Sequence, residues 1–206
     1  VSKSLVIGFS GLARSGKDSC VDHLVSKYKS SKILKTSFAK KLRSEVHKAM
    51  HAVMEEQTCS EREGLRVLCE REGVEYEPFA CRDTMDPFGK QRYLLQAWGM
   101  KRRNEHADYW VEKVEEEIAS RQPDFVLISD LRFENEAAYI ASVEGKTVRV
   151  NRPNSGLTGQ AATHVSEHAL AHYAFDYEIA NTGTIKHLHQ RVEQVFGAIQ
   201  QTRFKW

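Results

Sequence analysis

Residues 5–19 read L-V-I-G-F-S-G-L-A-R-S-G-K-D-S, an apolar run that feeds straight into a glycine-containing loop carrying a lysine. A short buried strand followed at once by such a loop and then by a helix commits the chain to a strand–loop–helix unit, the usual opening of a parallel α/β fold. Leu5 to Phe9 fits the strand, and Ser19 to Tyr28 fits the helix, with Val21, Leu24 and Val25 on one face. The spacing Gly11-x4-Gly16-Lys17 matches the start of G-x-x-x-x-G-K-[ST]. In that pattern the glycines let backbone N–H groups curl around a β-phosphate while the lysine reaches the β and γ oxygens. The eighth position departs from it: Asp18 stands where Ser or Thr normally ligates Mg²⁺, with Ser19 one place later. The metal is therefore expected on the carboxylate and waters, or elsewhere.

Five apolar runs alternate with helical patterns: Leu5 to Phe9, Ile33 to Phe38, Phe125 to Ser129, Thr147 to Val150, and Tyr177 to Ala180. That alternation predicts an α/β chain with a parallel sheet. The clearest helix is the last, where Ile185, Leu188, Val192, Val195, Phe196 and Ile199 recur at threes and fours after Gly183 and a candidate N-cap, Thr184. A second helix, about Lys40 to Glu56, places Leu42, Val46, Met50 and Val53 on one side. From Thr58 to Gly89 the pattern loosens into charged helical fragments, then Pro78, Asp86-Pro87 and Gly89, which predicts an insertion over about 57–90 outside the sheet. The polar stretch from Asn151 to Thr163 follows a strand and predicts a mobile loop or lid, extended to about 151–174. Without repeats or a linker, residues 1–206 are expected to form a single domain.

A length of 206 residues with 41% hydrophobic and 28% charged residues is globular composition. The formal net charge of +2 argues against a surface-wide nucleic-acid or membrane footprint, so any basic site must be local. Cys20, Cys59, Cys69 and Cys81 show no C-x-x-C spacing and no signal peptide is apparent, which predicts free thiols in a reducing cytoplasm. Nine histidines include His164, His168 and His172 at four-residue steps, but H-E-x-x-H is absent, so metal coordination by them is not expected.

Ligands in an open α/β sheet bind off the carboxyl ends of the strands. After the first strand comes the glycine loop; after the second, Phe38-Ala39-Lys40-Lys41; after the third, Asp130 and Arg132; after the fourth, Arg152; after the fifth, Asn181. Asp130 sits where a Walker-B-type carboxylate would hold Mg²⁺ or its waters, or bind an acceptor. Phosphoryl transfer leaves negative charge spread over donor and acceptor oxygens, so Arg14, Arg92, Arg132 and Arg152 are candidate stabilisers. In the helix R-Y-L-L-Q-A-W-G, Gln96 is placed to hydrogen-bond a base edge, while Trp98 and Tyr93 fit either a base platform or the core.

At these residues the chain resembles the bacteriophage deoxynucleoside monophosphate kinases of the P-loop kinase superfamily, over nearly its whole length. The segments that carry the resemblance are S-G-L-A-R-S-G-K-D-S with its family-typical Asp18, R-Y-L-L-Q-A-W-G, D-Y-W-V, I-S-D-L-R, V-N-R-P, T-H-V-S-E and D-Y-E-I-A-N-T-G. The resemblance implies a three-layer P-loop kinase fold: a five-stranded parallel sheet with helices on both faces, a helical substrate-covering insertion and a lid. The implied activity is transfer of the γ-phosphoryl of ATP to a deoxynucleoside 5′-monophosphate for DNA precursor synthesis, with Mg²⁺. Under it Gly11, Leu12, Ala13, Arg14, Ser15, Gly16, Lys17, Asp18 and Ser19 hold the donor phosphates and metal, and Asn181 lies beside the adenine. Lys17, Arg14, Arg132, Arg152 and Asp130 form the catalytic set, and Asp18, Ser19 and Asp130 are the metal candidates. Ala39, Lys41, Arg43, Arg92, Gln96, Trp98, Asp130, Arg132 and Glu167 are assigned to the acceptor. The implied partner is a small nucleotide in the cytoplasm, that of the host if the chain is phage-encoded, with no nucleic acid and no membrane. Enzymes of this type are often homodimers.

Two rivals share parts of the pattern. Animal-type phosphomevalonate kinases also carry S-G-K-D and S-D-x-R but accept a small acid with no base. A non-catalytic NTP-binding switch would need the loop without the arginines. Dephospho-coenzyme A kinases match less well, since their loop usually ends G-K-S/T.

Overall fold

The computed structural model describes residues 4–73, 92–156 and 165–203. Its strands are β1 (Leu5–Ser10), β2 (Ile33–Thr36), β3 (Phe125–Ile128), β4 (Lys146–Asn151) and β5 (Tyr177–Ala180). Its helices are α1 (Lys17–Lys27), α2 (Phe38–Gln57), α3 (Glu61–Glu72), α4 (Arg92–Glu105), α5 (Tyr109–Arg121), α6 (Glu134–Ser142) and α7 (Ile185–Arg203). The five strands form one parallel sheet in the order β2-β3-β1-β4-β5. The three-layer α/β architecture expected from the sequence is thus present.

The chain divides into two compact units, one of Val1–Phe38 with Val111–Trp206 and one of Ala39–Trp110. The second begins before and ends after the 57–90 insertion read from composition. Residues 74–91, with Pro78, Cys81, Pro87 and Gly89, and lid residues 157–164 lie outside the described residues.

In the first unit, side-chain alternation assigns the two faces of the sheet. Leu5, Ile7 and Phe9 of β1, with Val148, Val150 and Ile179, share a core cluster with Val21 and Leu24 of α1 and Leu188, Val192, Phe196 and Ile199 of α7. The α7 residues are all at most 2% exposed, and each such side chain contributes about 1.5–3 kcal/mol on burial. The opposite face meets α6, and Thr36 of β2 donates to buried Glu117 of α5 at 2.7 Å. Because α1 leaves β1 on one face and α6 leaves the adjacent β3 on the other, the carboxyl ends of β1 and β3 flank a topological switch point, where open α/β sheets form a crevice.

The run Ile33–Phe38 has strand character throughout, yet β2 stops at Thr36. The N–H of Phe38 is held at 2.9 Å by Asp130 Oδ1, which satisfies a first-turn donor of α2 and starts the helix there.

In the second unit, residues 61–72 form a regular helix where the sequence pattern suggested only fragments. Ser60 caps it by accepting from Glu63 N–H at 3.4 Å, and Gly73 closes it at φ 64°. Val46, Met50, Leu65, Leu68, Leu94, Trp98 and Trp110 are buried here. Within this unit Glu45 links α2, α4 and Tyr109, accepting from Trp98 Nε1 at 2.9 Å, Arg102 Nε at 2.7 Å and Tyr109 OH at 2.6 Å. Burial alone would raise its pKa, but these bonds, with the Arg102 charge, hold the carboxyl below its ordinary value.

Candidate functional site

The loop between β1 and α1 has a backbone that glycine makes possible. Gly11 and Gly16 have φ of 143° and 102°, and Arg14 between them sits at 65°. A Cβ on Gly11 would lie 2.5 Å from the carbonyl oxygen of Val150 and 2.7 Å from Ser15 Oγ; one on Gly16 would lie 2.7 Å from Asn181 Nδ2 and 2.9 Å from Leu188 Cδ2. The loop is therefore pressed against the ends of β4 and β5, which fixes its curl. Ser15 N–H turns back to Leu12 O at 3.1 Å, and Cys20 N–H begins the helical ladder at Gly16 O.

Three features leave this loop disposed toward an anion. Gly16, the N-cap of α1, supplies no side-chain acceptor to the helix, whose first N–H groups carry the positive end of the dipole. Lys17 is buried at 6% exposure in the first turn. Ser15 is fully buried, and its Oγ is the one buried side-chain polar atom without a hydrogen-bond partner among the described residues. An unsatisfied buried hydroxyl costs about 1–3 kcal/mol, so a native one calls for a missing partner.

Asn181 braces the loop from behind. It is 9% exposed, its N–H donates to Asn151 O at 2.7 Å, and its Nδ2 donates to Ser15 O at 2.8 Å. Residues just after β4 meet the same loop: Gly156 N–H donates to Ala13 O at 2.8 Å, and Arg152 Nη1 approaches Arg14 O at 3.5 Å. Leu12 and Ala13 form the rim, and Leu12 is exposed. Cys20, one turn into α1, is no nucleophile, because burial, aided by the Asp18 charge, pushes its thiol up to about 12.

Beyond β3 the backbone is pinned at several points. Ser129 N–H donates to Thr36 O at 3.2 Å, and Leu131 N–H to Phe9 O at 3.1 Å. Buried Glu136 reaches back from α6 so that Oε2 accepts from Arg132 N–H at 2.9 Å and Phe133 N–H at 3.2 Å. This is the returning half of a capping box. It fixes the turn that carries Arg132, whose Nη1 donates to Ser166 O at 3.3 Å.

A cavity of about 490 Å³ opens beside the loop, lined among others by Gly11, Leu12, Arg132, Arg149, Arg152 and His168. Among the described residues its lining contains three arginines and no aspartate or glutamate. Arg132 and Arg152, singled out from separate strand ends, meet there. Arg149 and Glu136 are not apparent from motif spacing. The signal for Glu136 was a carboxylate at the third position of a helix; that for Arg149 was a cation set between two valines of a strand.

The remaining candidates divide between the units. Asp18 is exposed and Ser19 half-buried in the first turn of α1, and Asp130 is half-buried at the end of β3. In the second unit, Ala39 and Lys41 are half-buried and Arg43 exposed on α2, Gln96 is half-buried on α4, and Trp98 is 1% exposed within the core. Arg92 opens α4 and Glu167 ends a short 3-10 turn, Val165–Glu167; their side chains lie outside the described residues. Among the described residues no group of three or more His, Cys, Asp or Glu side chains is arranged to hold a metal ion. No helix there is long and apolar enough to cross a membrane.

These features define the class: a three-layer α/β protein with a five-stranded parallel sheet and a glycine loop at the centre of its carboxyl edge. No protein-family model and no curated protein matches the chain. Among solved structures it is similar to TT1252 from Thermus thermophilus, with a TM-score of 0.49 and 16% sequence identity over 95% of this chain and 98% of that one.

Proposed function

We propose that this chain is an ATP-dependent kinase that transfers the γ-phosphoryl group to the phosphate of a deoxynucleoside 5′-monophosphate. The observation that carries the reading is the loop. Its two glycines exclude any Cβ, its lysine is buried, and its Ser15 hydroxyl lacks a partner that a phosphate oxygen would supply. The choice of a deoxynucleotide acceptor rests on the sequence resemblance.

The chemistry needs no covalent intermediate. An oxygen of the acceptor phosphate attacks the γ-phosphorus; the new P–O bond forms as the bond to the β–γ bridging oxygen breaks, leaving ADP and the acceptor diphosphate. A phosphate monoester dianion is already nucleophilic, so the protein's work is alignment and electrostatic stabilisation. In this reading Lys17, Ser15 and the first turn of α1 hold the donor phosphates, and Arg132 and Arg152 neutralise charge on the transferring group. The donor set available to Mg²⁺ is all oxygen, which suits that ion: Asp18 and Ser19, with Asp130 at the neighbouring strand end, would hold it together with substrate phosphates. Bound there, the ion would offset charge on the phosphate oxygens.

The test is a coupled ADP-release assay with ATP and Mg²⁺ against each deoxynucleoside monophosphate, the matching ribonucleotides and phosphomevalonate. Turnover with a deoxynucleotide, abolished in a folded Lys17→Ala variant, is the expected result. Near-normal turnover in that variant excludes this loop as the active site, and turnover on phosphomevalonate alone replaces the acceptor.

A further inference from the structure

Two histidines that the phosphoryl-transfer reading does not use face each other where α1 and α7 pack together. The rings of His23 and His189 stack with centroids 3.9 Å apart and planes 9° from parallel, and both residues are half-buried. His23 Nε2 and Glu193 Oε1 lie 2.6 Å apart in a hydrogen bond, while Lys27 Nζ pairs with Glu193 Oε2 at 2.5 Å. Both carboxylate oxygens are thus engaged, and Lys27 already balances their charge. The other ionisable groups around the pair have other company: Asp22 is bound by Lys35 of β2, His187 lies against Gly183, and Lys186 is exposed one turn before His189. Parallel imidazole planes aim their in-plane lone pairs side by side and not at a common point, so the stack is no metal site. One imidazolium is accommodated beside Glu193, but a second would meet a like charge at ring-contact distance in a partly desolvated seam. His189 is the ring that resists the proton. Desolvation first, and the His23 charge second, hold its pKa below the ordinary 6.5, with Glu193 acting in the opposite sense.

The stack lies next to a support of the glycine loop. Leu188, adjacent to His189 in α7, is 2% exposed, and its Cδ2 stands 2.9 Å from where a Cβ on Gly16 would be. Gly16 is both the last glycine of the loop and the N-cap of α1. Helix α7 therefore meets α1 at the loop through Leu188 and two turns further along through the histidines. Close-packed side chains transmit displacement, so a parting of the rings is felt at Gly16.

We propose that the His23/His189 stack is a proton-sensitive clasp: a proton on His189 parts the rings, draws Leu188 away from Gly16 and weakens the hold of the glycine loop on an anion. The unfolded chain accepts this proton more readily than the folded one, so the penalty is absent well above pH 6.5 and grows as pH falls through that value and below it. The inference rests on the reading of the loop as a phosphate site. Its linkage has a distinctive sign. The charge of a bound anion alone would raise the His189 pKa, whereas an anion that needs the clasp closed lowers it.

The experiment titrates the full chain with inorganic pyrophosphate by calorimetry between about pH 5.5 and 8, wild type against His189→Phe. Phenylalanine keeps a flat ring on His23 and takes no proton, and the ionisation of pyrophosphate itself cancels in the ratio of the two affinities. The expected result is equal affinity at the alkaline end and a loss about fivefold or more greater in the wild type at the acid end. In the wild type, the His189 imidazole signal, identified by its absence from the variant's NMR spectrum, should titrate at lower pH when pyrophosphate is bound. Parallel affinity profiles overturn the clasp even where the urea midpoints differ, because a merely structural contact alters stability alone. A His189 pKa raised by pyrophosphate overturns it too. If His189→Phe does not fold, His189→Gln, equally without a titrating ring, must show the same loss of acid sensitivity. A wild-type protein that binds no pyrophosphate at any pH overturns the phosphate-site reading and the clasp together, whereas binding with parallel profiles overturns the clasp alone.

Discussion

Asn181 separates two ideas of how this site works. As a neighbour of the adenine it would matter to the base alone; as placed in the structure it holds the loop. Its Nδ2 donates to Ser15 O at 2.8 Å in a buried setting, and the same amide nitrogen stands 2.7 Å from where a Gly16 Cβ would be. Asn181→Ala removes the donor and opens space behind Gly16. Ser15 O is then left unpaired at a cost of about 1–3 kcal/mol, part of which the loop escapes by opening toward solvent. A ligand that needs the closed loop must recover that energy, so affinity falls by about 5- to 150-fold. The loss is common to inorganic pyrophosphate, ATP and GTP, because the loop and not the base is affected. Calorimetric titration of all three, with urea unfolding alongside, reads both halves. Asn181→Asp is expected to do worse than alanine, since it sets a carboxylate against a carbonyl oxygen beside an anion site. Unchanged pyrophosphate affinity in Asn181→Ala, with ATP alone weakened, refutes the bracing argument and returns Asn181 to the base.

Gly11→Ala places a methyl group 2.5 Å from the backbone oxygen of Val150 at φ 143°, an overpacking of about 1–3 kcal/mol. The expected result is loss of pyrophosphate binding with far-ultraviolet circular dichroism retained; wild-type binding would show that the loop does not need this close approach. Glu45 predicts a pH dependence. Its folded pKa is depressed, so its stabilisation is present above its ordinary value of 4.5 and is lost as pH falls through the lowered folded value. The urea midpoint of Glu45→Gln should therefore lie below that of the wild type near neutrality and converge with it in acid; a gap that stays constant down to acid pH contradicts this assignment.

Much of the architecture is legible in local sequence. The run Leu5–Phe9, the glycine spacing and the α7 stripe from Leu188 to Ile199 each declare their element through neighbours two to four residues apart, because strand and helix periodicity is a short-range property. Parallel pairing followed from strands separated by helical patterns. The strand-end rule also named Asp130, Arg132 and Arg152 before any of them had a neighbour.

What those residues touch was decided by the tertiary fold. Asn181 meets Ser15 across 166 residues of sequence, and Asp130 meets Phe38 N–H across 92. Glu136 shapes the Arg132 turn because its carboxylate is buried where those two N–H groups need an acceptor. Arg149 reads in sequence as one more strand residue, and becomes a third cation at a cavity because β4 lies beside β1 and residues 165–171 fold over that face. Periodicity survives in any short window of the chain, but electrostatic company and hydrogen-bond satisfaction depend on which distant segments arrive together. The elements were therefore written locally, and the chemistry of the site emerged only when the sheet assembled.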